Sequence, residues 1–216
     1  MSLAVGVMAR APSSAGKSRL APHLSPSRLT ALRAAMLANT VHALEGLPDL
    51  AIFFTPDDAE PELAALAGPA LRLVPQGGGD LGARMLRALQ CLLKLTPEGA
   101  VLVGSDIPLL TVDHVREAAQ TLQASGGVAL GPADDGGYYL IGMREARADL
   151  FEGIAWGTES VLTDTLRAAE RAGVEARLVR SAYDIDRIDD LRRLERDLAA
   201  APAGRYPELR RWFSES

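Results

Sequence analysis

The sequence predicts an α/β protein with a Rossmann-like, mixed but mostly parallel sheet and helices on both faces. Two observations carry this. Short apolar runs alternate with longer stretches of helical spacing along the chain, and such alternation argues a largely parallel sheet covered on both sides. The run Val101-Leu102-Val103-Gly104-Ser105 then ends abruptly in Asp106, Ile107 and Pro108. That is the pattern of a buried strand delivering one acid to the crevice beyond its carboxyl end, where open α/β sheets bind ligands.

The elements follow in order. Strands are expected at Leu3–Met8, Leu50–Phe54, Ala70–Val74, Ala100–Val103 and Val128–Leu130, with an aromatic strand after Gly136-Gly137. Ser25 and Pro26 open a helix as cap and first-turn proline, and Leu29, Leu32, Ala35, Met36 and Val41 follow near helical spacing. A second helix is expected over Asp80–Leu95, and Thr111 caps a third over Val112–Ala124. Thr158 or Ser160 opens a fourth, which Gly173 closes. No repeat or linker interrupts the pattern, apart from an Ala/Pro/Gly stretch at Ala199–Gly204 before a short C-terminal segment.

Composition narrows the function classes. The 216 residues, 48% hydrophobic and 24% charged, suit one globular domain spanning 1–216 with one core. With 23 basic against 28 acidic side chains the net charge is −5, so the broad positive field of a nucleic-acid binder is missing. A single cysteine, Cys91, excludes an internal disulfide, and the first ten residues lack a secretory pattern. A cytoplasmic location is expected. No apolar run reaches the roughly 20 residues of a membrane span.

Asp106 is the first candidate site residue, because a carboxylate at a strand end suits a divalent metal that completes its shell with water and substrate phosphates. The loop after the first strand reads Ala9-Arg10-Ala11-Pro12-Ser13-Ser14-Ala15-Gly16-Lys17-Ser18-Arg19-Leu20. Small residues let backbone N–H groups approach an anion, and Arg and Lys add a forked clamp and a point charge suited to polyphosphate. A solvated loop with incidental basic residues is the alternative. The same segment nearly spells the Walker A loop of kinases and NTPases. However, Ala11 replaces the first glycine, and Pro22 falls inside the required helix, where proline costs about 3 kcal/mol.

Further along, Pro75-Gln76-Gly77-Gly78-Gly79-Asp80 leads into a helix carrying Arg84. Gln76 could read a base edge, and Asp80 could serve the ligand or merely cap the helix. Asp134-Asp135-Gly136-Gly137-Tyr138 reads either as an acceptor-side acid with an aromatic surface or as a hairpin turn. Trp156-Gly157-Thr158-Glu159-Ser160 offers a stacking surface with hydroxyls and an acid, or a core Trp with ordinary caps. Tyr183-Asp184-Ile185-Asp186 alternates, which places both acids on one face if extended, and could supply a second metal carboxylate.

Together these segments resemble the bacterial family labelled radical-SAM/selenodomain-associated transferase 1, or arsenosugar-biosynthesis glycosyltransferase, within the nucleotide-diphospho-sugar transferase superfamily. The match runs through Met8 to Pro12, Gly16 to Leu20, Gln76 to Met85, Gly104 to Pro108, Gly131 to Gly142, Trp156 to Ser160, and Asp184 to Asp186 followed by Asp189-Asp190-Leu191. Ala83 departs from it where an acid is expected. The resemblance implies an A-type glycosyltransferase architecture, with nucleotide over the first half, acceptor over the second, and Mg²⁺ or Mn²⁺ on Asp106 and Asp186. Catalysis falls to Asp106, Asp135 and Lys17. Nucleotide contacts fall to Ala9, Arg10, Ala11, Gly16, Lys17, Arg19, Gln76, Gly79, Asp80, Arg84 and Ser105. Asp135, Gly136, Gly137, Tyr138, Trp156, Thr158 and Glu159 face the acceptor.

The chain is also similar to small nucleotidyltransferases, including the phospholactate guanylyltransferases, which share the basic first loop and the terminal Asp-x-Asp. Two readings therefore stand. One is glycosyl transfer from a nucleotide sugar to a small acceptor. The other is nucleotidyl transfer from a triphosphate to a phosphorylated metabolite, releasing pyrophosphate. Non-catalytic nucleotide binding would leave the metal acids and the acceptor-side acid without a use.

Overall fold

A computed structural model describes residues 3–68 and 71–215. Seven strands form one sheet in the order β3-β2-β1-β4-β6-β5-β7. They are β1 (Ala4–Arg10), β2 (Leu50–Thr55), β3 (Arg72–Pro75), β4 (Ala100–Gly104), β5 (Val128–Pro132), β6 (Tyr138–Met143) and β7 (Ala176–Leu178). β6 runs antiparallel to β4 and β5, and every other pairing is parallel, so β6 alone is reversed. This is the mixed, mostly parallel sheet expected.

Side chains alternate across the sheet, and the two faces take different helices. Val5, Val7, Ile52, Phe54, Val101 and Val103 pack one way, beneath α1 (Pro26–Leu44), α2 (Glu60–Ala67) and α4 (Val112–Ser125). Ala51, Phe53, Leu102, Leu130 and Ile141 pack the other way, beneath α3 (Leu81–Leu95) and α5 (Val161–Arg171). A third cluster joins the outer side of α1 to α6 (Ile188–Ala200) and α7 (Pro207–Ser214) through Leu32, Met36, Leu194, Leu209 and Trp212.

Local chemistry explains several boundaries. Ser25 accepts the Arg28 N–H at the start of α1, and Asp80 accepts the Ala83 N–H at the start of α3. Thr111 caps α4 together with His114. Gly173, at φ 66°, lies just beyond the end of α5. Lys17 and Ser18 open no helix, since the chain turns through residues 18–24 and α1 begins only at Pro26. A Walker A arrangement is therefore absent from this loop.

Other boundaries differ from expectation. β1 continues to Arg10, carrying two more residues into the sheet, and β3 starts at Arg72, while Ala70 lies outside the described residues. The stretch expected to break at Ala199 remains helical to Ala200. α2, β7, α6 and α7 had no separate sequence signal: α2 lacks a side-chain cap, and β7 has only three residues. The hairpin reading of residues 133–137 is correct. Ala133 N–H bonds Gly137 O at 3.0 Å, and Gly136 N–H bonds Ala133 O at 3.2 Å, joining β5 to β6.

Candidate active site

One open cavity of about 740 Å³ lies over the carboxyl ends of β1 and β4. Its size is that of a small-molecule site. Its wall brings together Ala9, Arg10, Arg19, Gln76, Arg84, Ser105, Asp106, Asp135, Gly137, Tyr138, Trp156, Thr158, Glu159 and Asp186. These come from segments up to 177 positions apart in the chain, so the fold converges them as the sequence motifs implied.

The acids are arranged across three elements. Asp106 follows β4, Asp135 lies in the β5–β6 turn, and Asp184 and Asp186 lie between β7 and α6. Burial raises the Asp184 carboxyl to about 6, and the neighbouring Asp106 and Asp135 carboxylates push the same way, against Lys17. Asp184 is thus the acid that shares a field with Asp106. Asp186, the expected second ligand, instead pairs with Arg19, and its backbone N–H is held at 2.9 Å by Asp190 Oδ2. The period-two alternation of residues 183–186 placed both acids together, but only the three-dimensional neighbours separate their partners.

Lys17 ties the site together. Its Nζ donates to the Ile185 carbonyl and sits 3.6 Å from Asp106 Oδ2, with only 12% of the side chain exposed. The residue holds φ at 51°, an uncommon left-handed conformation for a side chain of this length. Neither Lys17 nor Gly16 lines the cavity; Lys17 reaches it only through its contact with Asp106.

Several expected ligand contacts are structural. Gln76 is buried, and its Nε2 donates to the carbonyls of Ala9 at 3.2 Å and Phe53 at 2.8 Å, while Oε1 accepts from Arg84 at 3.0 Å. Its amide is spent on braces and cannot read a base edge without breaking them. Ala11 is fully buried in the core, and its N–H bonds Thr55 O at 2.8 Å, so neither faces the cavity. Asp80 serves as the α3 cap, and neither it nor Gly79 reaches the wall.

On the opposite side, Asp135 Oδ1 accepts the Gly137 N–H at 2.9 Å, which orients the carboxylate within the hairpin. Gly136 stays behind the wall, where a Cβ would come within 2.3 Å of the Glu159 carbonyl, so only glycine lets the two loops meet. Trp156 is both core and wall. It stacks on Phe151 at 6.3 Å, meets Tyr138 edge-on at 6.4 Å, and fits against Gly82, where a Cβ would lie 2.6 Å from the ring. Thr158 Oγ1 donates to Ala155 O at 2.8 Å and so shapes its own turn. Asp134 also lines the cavity, and its Oδ2 is held by Arg193 at 2.7 Å.

The structure adds residues that the sequence did not single out. Arg187 lines the cavity, as do Asp184 and Asp190 of the terminal acidic motif. Arg33 and Glu62 grip the first loop from outside the cavity. The donor set suits a hard divalent cation, since Mg²⁺ takes one or two protein carboxylates and fills the rest with water and phosphate oxygens. Among the described residues no group of three or more His, Cys, Asp or Glu side chains forms a closed metal cage. No described helix is long and apolar enough to cross a membrane.

Comparison with known proteins places this geometry in context. The chain is similar to a protein of Desulfovibrio desulfuricans G20 described as a candidate nucleotide-diphospho-sugar transferase, with 30% identity and a TM-score of 0.84 over 98% of this chain and 95% of that one. The fold is shared with 4-diphosphocytidyl-2C-methyl-D-erythritol synthase of Anaerococcus prevotii DSM 20548, at 12% identity and TM-score 0.59 over 91% and 98% of the chains. It is shared too with CMP:2-keto-3-deoxy-manno-octonic acid synthetase solved with CTP, at 11% identity and TM-score 0.57 over 93% and 99%. No curated protein matches the sequence. Residues 36–158 match the model of a family described as uncharacterized protein conserved in bacteria, and the chain belongs to that family, DUF2064.

Proposed function

We propose that the protein is a metal-dependent transferase that uses a nucleotide-activated donor, moving a sugar from a nucleoside-diphosphate sugar to a small-molecule acceptor. The observation that carries this reading is Asp106, 3.6 Å from Lys17 Nζ, lining one cavity with Asp184 and the cations Arg10 and Arg19. Mg²⁺ or Mn²⁺ held by Asp106 and Asp184 would neutralise the charge that builds on the leaving phosphates. Lys17, largely buried, and Arg19, at the open side, supply further positive charge at the phosphate side. Asp135, oriented by the Gly137 N–H and lining the same cavity, would accept the proton of an acceptor hydroxyl. Tyr138 and Trp156 form the apolar wall on that side. The description of the Desulfovibrio protein as a sugar-nucleotide transferase supports glycosyl transfer, as does the sequence resemblance to glycosyltransferases of the arsenosugar type.

A second reading, nucleotidyl transfer from a triphosphate to a phosphorylated metabolite, is favoured by one specific feature. Arg10, Arg19, Arg84 and Arg187 all line the cavity, more cation than a diphosphate requires. The products separate the two. Incubation with nucleotide sugars or nucleoside triphosphates, Mg²⁺ or Mn²⁺, and hydroxyl- or phosphate-bearing acceptors releases a nucleoside diphosphate under the first reading. Pyrophosphate release replaces it with the second, and release of neither under any metal sinks the transferase assignment.

A further inference from the structure

The first loop is gripped from two sides by residues that never reach the cavity. Arg33, on α1, donates from Nη1 to the Pro12 carbonyl at 2.7 Å and from Nη2 to the Ser14 carbonyl. Glu62, on α2, accepts the Ser13 N–H at 2.8 Å and the Ser13 hydroxyl at 2.5 Å. Arg10 Nη1 donates to the Ala15 carbonyl at 3.2 Å.

Peptide planarity turns these contacts into a statement about the amides. In a trans peptide the N–H points opposite to the C=O. The Pro12–Ser13 unit shows the consequence, with its carbonyl on Arg33 and its N–H on Glu62. By the same geometry the Ala15 N–H points away from Arg33, and the Gly16 N–H points away from Arg10. Among the described residues neither of these N–H groups meets a protein acceptor. Neither Ala15 nor Gly16 lines the cavity, whereas Arg19, further along the same loop, does, so what the grip sets toward the cavity is the cationic part of the loop.

We propose that Arg33 and Glu62 are positioning residues that hold the first loop so that its cations, Lys17 beside Asp106 and Arg19 in the cavity wall, stay set to meet a polyphosphate. The proposal rests on the reading of this loop as the phosphate side of a nucleotide-using transferase. Burial, and then the nearby Arg10 guanidinium, hold the Arg33 pKa below its ordinary value, so the loop is built around two crowded cations.

The test uses the full-length protein and inorganic tripolyphosphate with Mg²⁺, measured by calorimetry, with no need to know the base or sugar. Glu62→Ala is the decisive variant because electrostatics and positioning predict opposite signs for it. Removing a negative charge beside an anion site strengthens anion binding if only the field matters. Releasing Ser13 weakens it if loop geometry matters. We expect Arg33→Ala and Glu62→Ala each to raise the tripolyphosphate Kd about tenfold, the scale of lost outer supports in other ligand sites. Ser13→Ala, which deletes only the hydroxyl bond, should cause a smaller loss in the same direction and guards against misfolding of the larger changes. Unchanged or tighter binding by Glu62→Ala overturns the proposal. If Lys17→Ala alone loses affinity, the phosphate reading stands without the clamp. If the wild type binds no tripolyphosphate, the phosphate reading of the loop and the clamp fall together.

Discussion

Asp184 carries an energetic cost that follows from its neighbours. A carboxyl raised from its ordinary 3.8 to about 6 binds more protons in the native state than in the unfolded chain between those values. Stability therefore falls as pH climbs through that window, and the full cost stands above about pH 6. Without divalent metal, Asp184→Asn should stabilise the protein at pH 7.5 by about 1 kcal/mol after discounting for solvent screening, or roughly 2–4 °C in Tm. The gain should shrink toward pH 4, and calorimetry at both pH values in a chelator checks it. A gain that is equal at both would mean the penalty is not electrostatic. Asp135 makes a different prediction. Asp135→Asn should lower turnover by about a hundredfold or more, the low end for loss of a general base, while donor affinity stays near wild type. Lost donor binding would refute its placement on the acceptor side.

At the level of elements, the parts that were legible in the sequence are those with local signals. Ser25-Pro26 and Asp80 announced α1 and α3 through caps that the structure contains. The Asp135-Gly136-Gly137 turn was equally legible, although whether it served a hairpin or a ligand was open, and the structure makes it a hairpin at the cavity wall. Gly136→Val tests why. Its side chain would collide with the Glu159 carbonyl, so the Trp156–Glu159 segment must move, and a φ of 86° adds strain. The expected result is a loss of about 2–4 kcal/mol, read as a lower urea midpoint with unchanged m-value. Parts with no local signal were not legible. Arg33 and Glu62 lie 19 to 49 positions from the loop residues they hold, and a lone charge on a helix face looks like any solvated one. Gln76 misled because a polar residue beside glycines has the same sequence signature whether it faces a ligand or braces two carbonyls. Asp184 and Asp186 share a face by alternation, and only Arg19 and Lys17, brought in from the first loop, give them different partners.

Across the whole molecule, strand order does what no single motif does. β1 and β4 are adjacent at the centre of the sheet, so the basic loop after one opens beside the acid after the other. The reversed β6 returns the chain through the β5–β6 turn, bringing Asp135 to the same cavity, and the β7–α6 connection brings Asp184. The proposed metal–nucleotide site, assembled in this way, depends on acids and cations from distant segments acting together. The most direct measurement is calorimetric binding of a nucleoside-diphosphate sugar panel with and without Mn²⁺, for wild type, Asp106→Asn and Asp184→Asn. The wild type should bind at least one member about tenfold or more tightly with Mn²⁺, and both variants should lose that Mn²⁺-dependent gain while keeping the wild-type fold. Equal Mn²⁺ dependence in wild type and both variants would contradict the account at its centre.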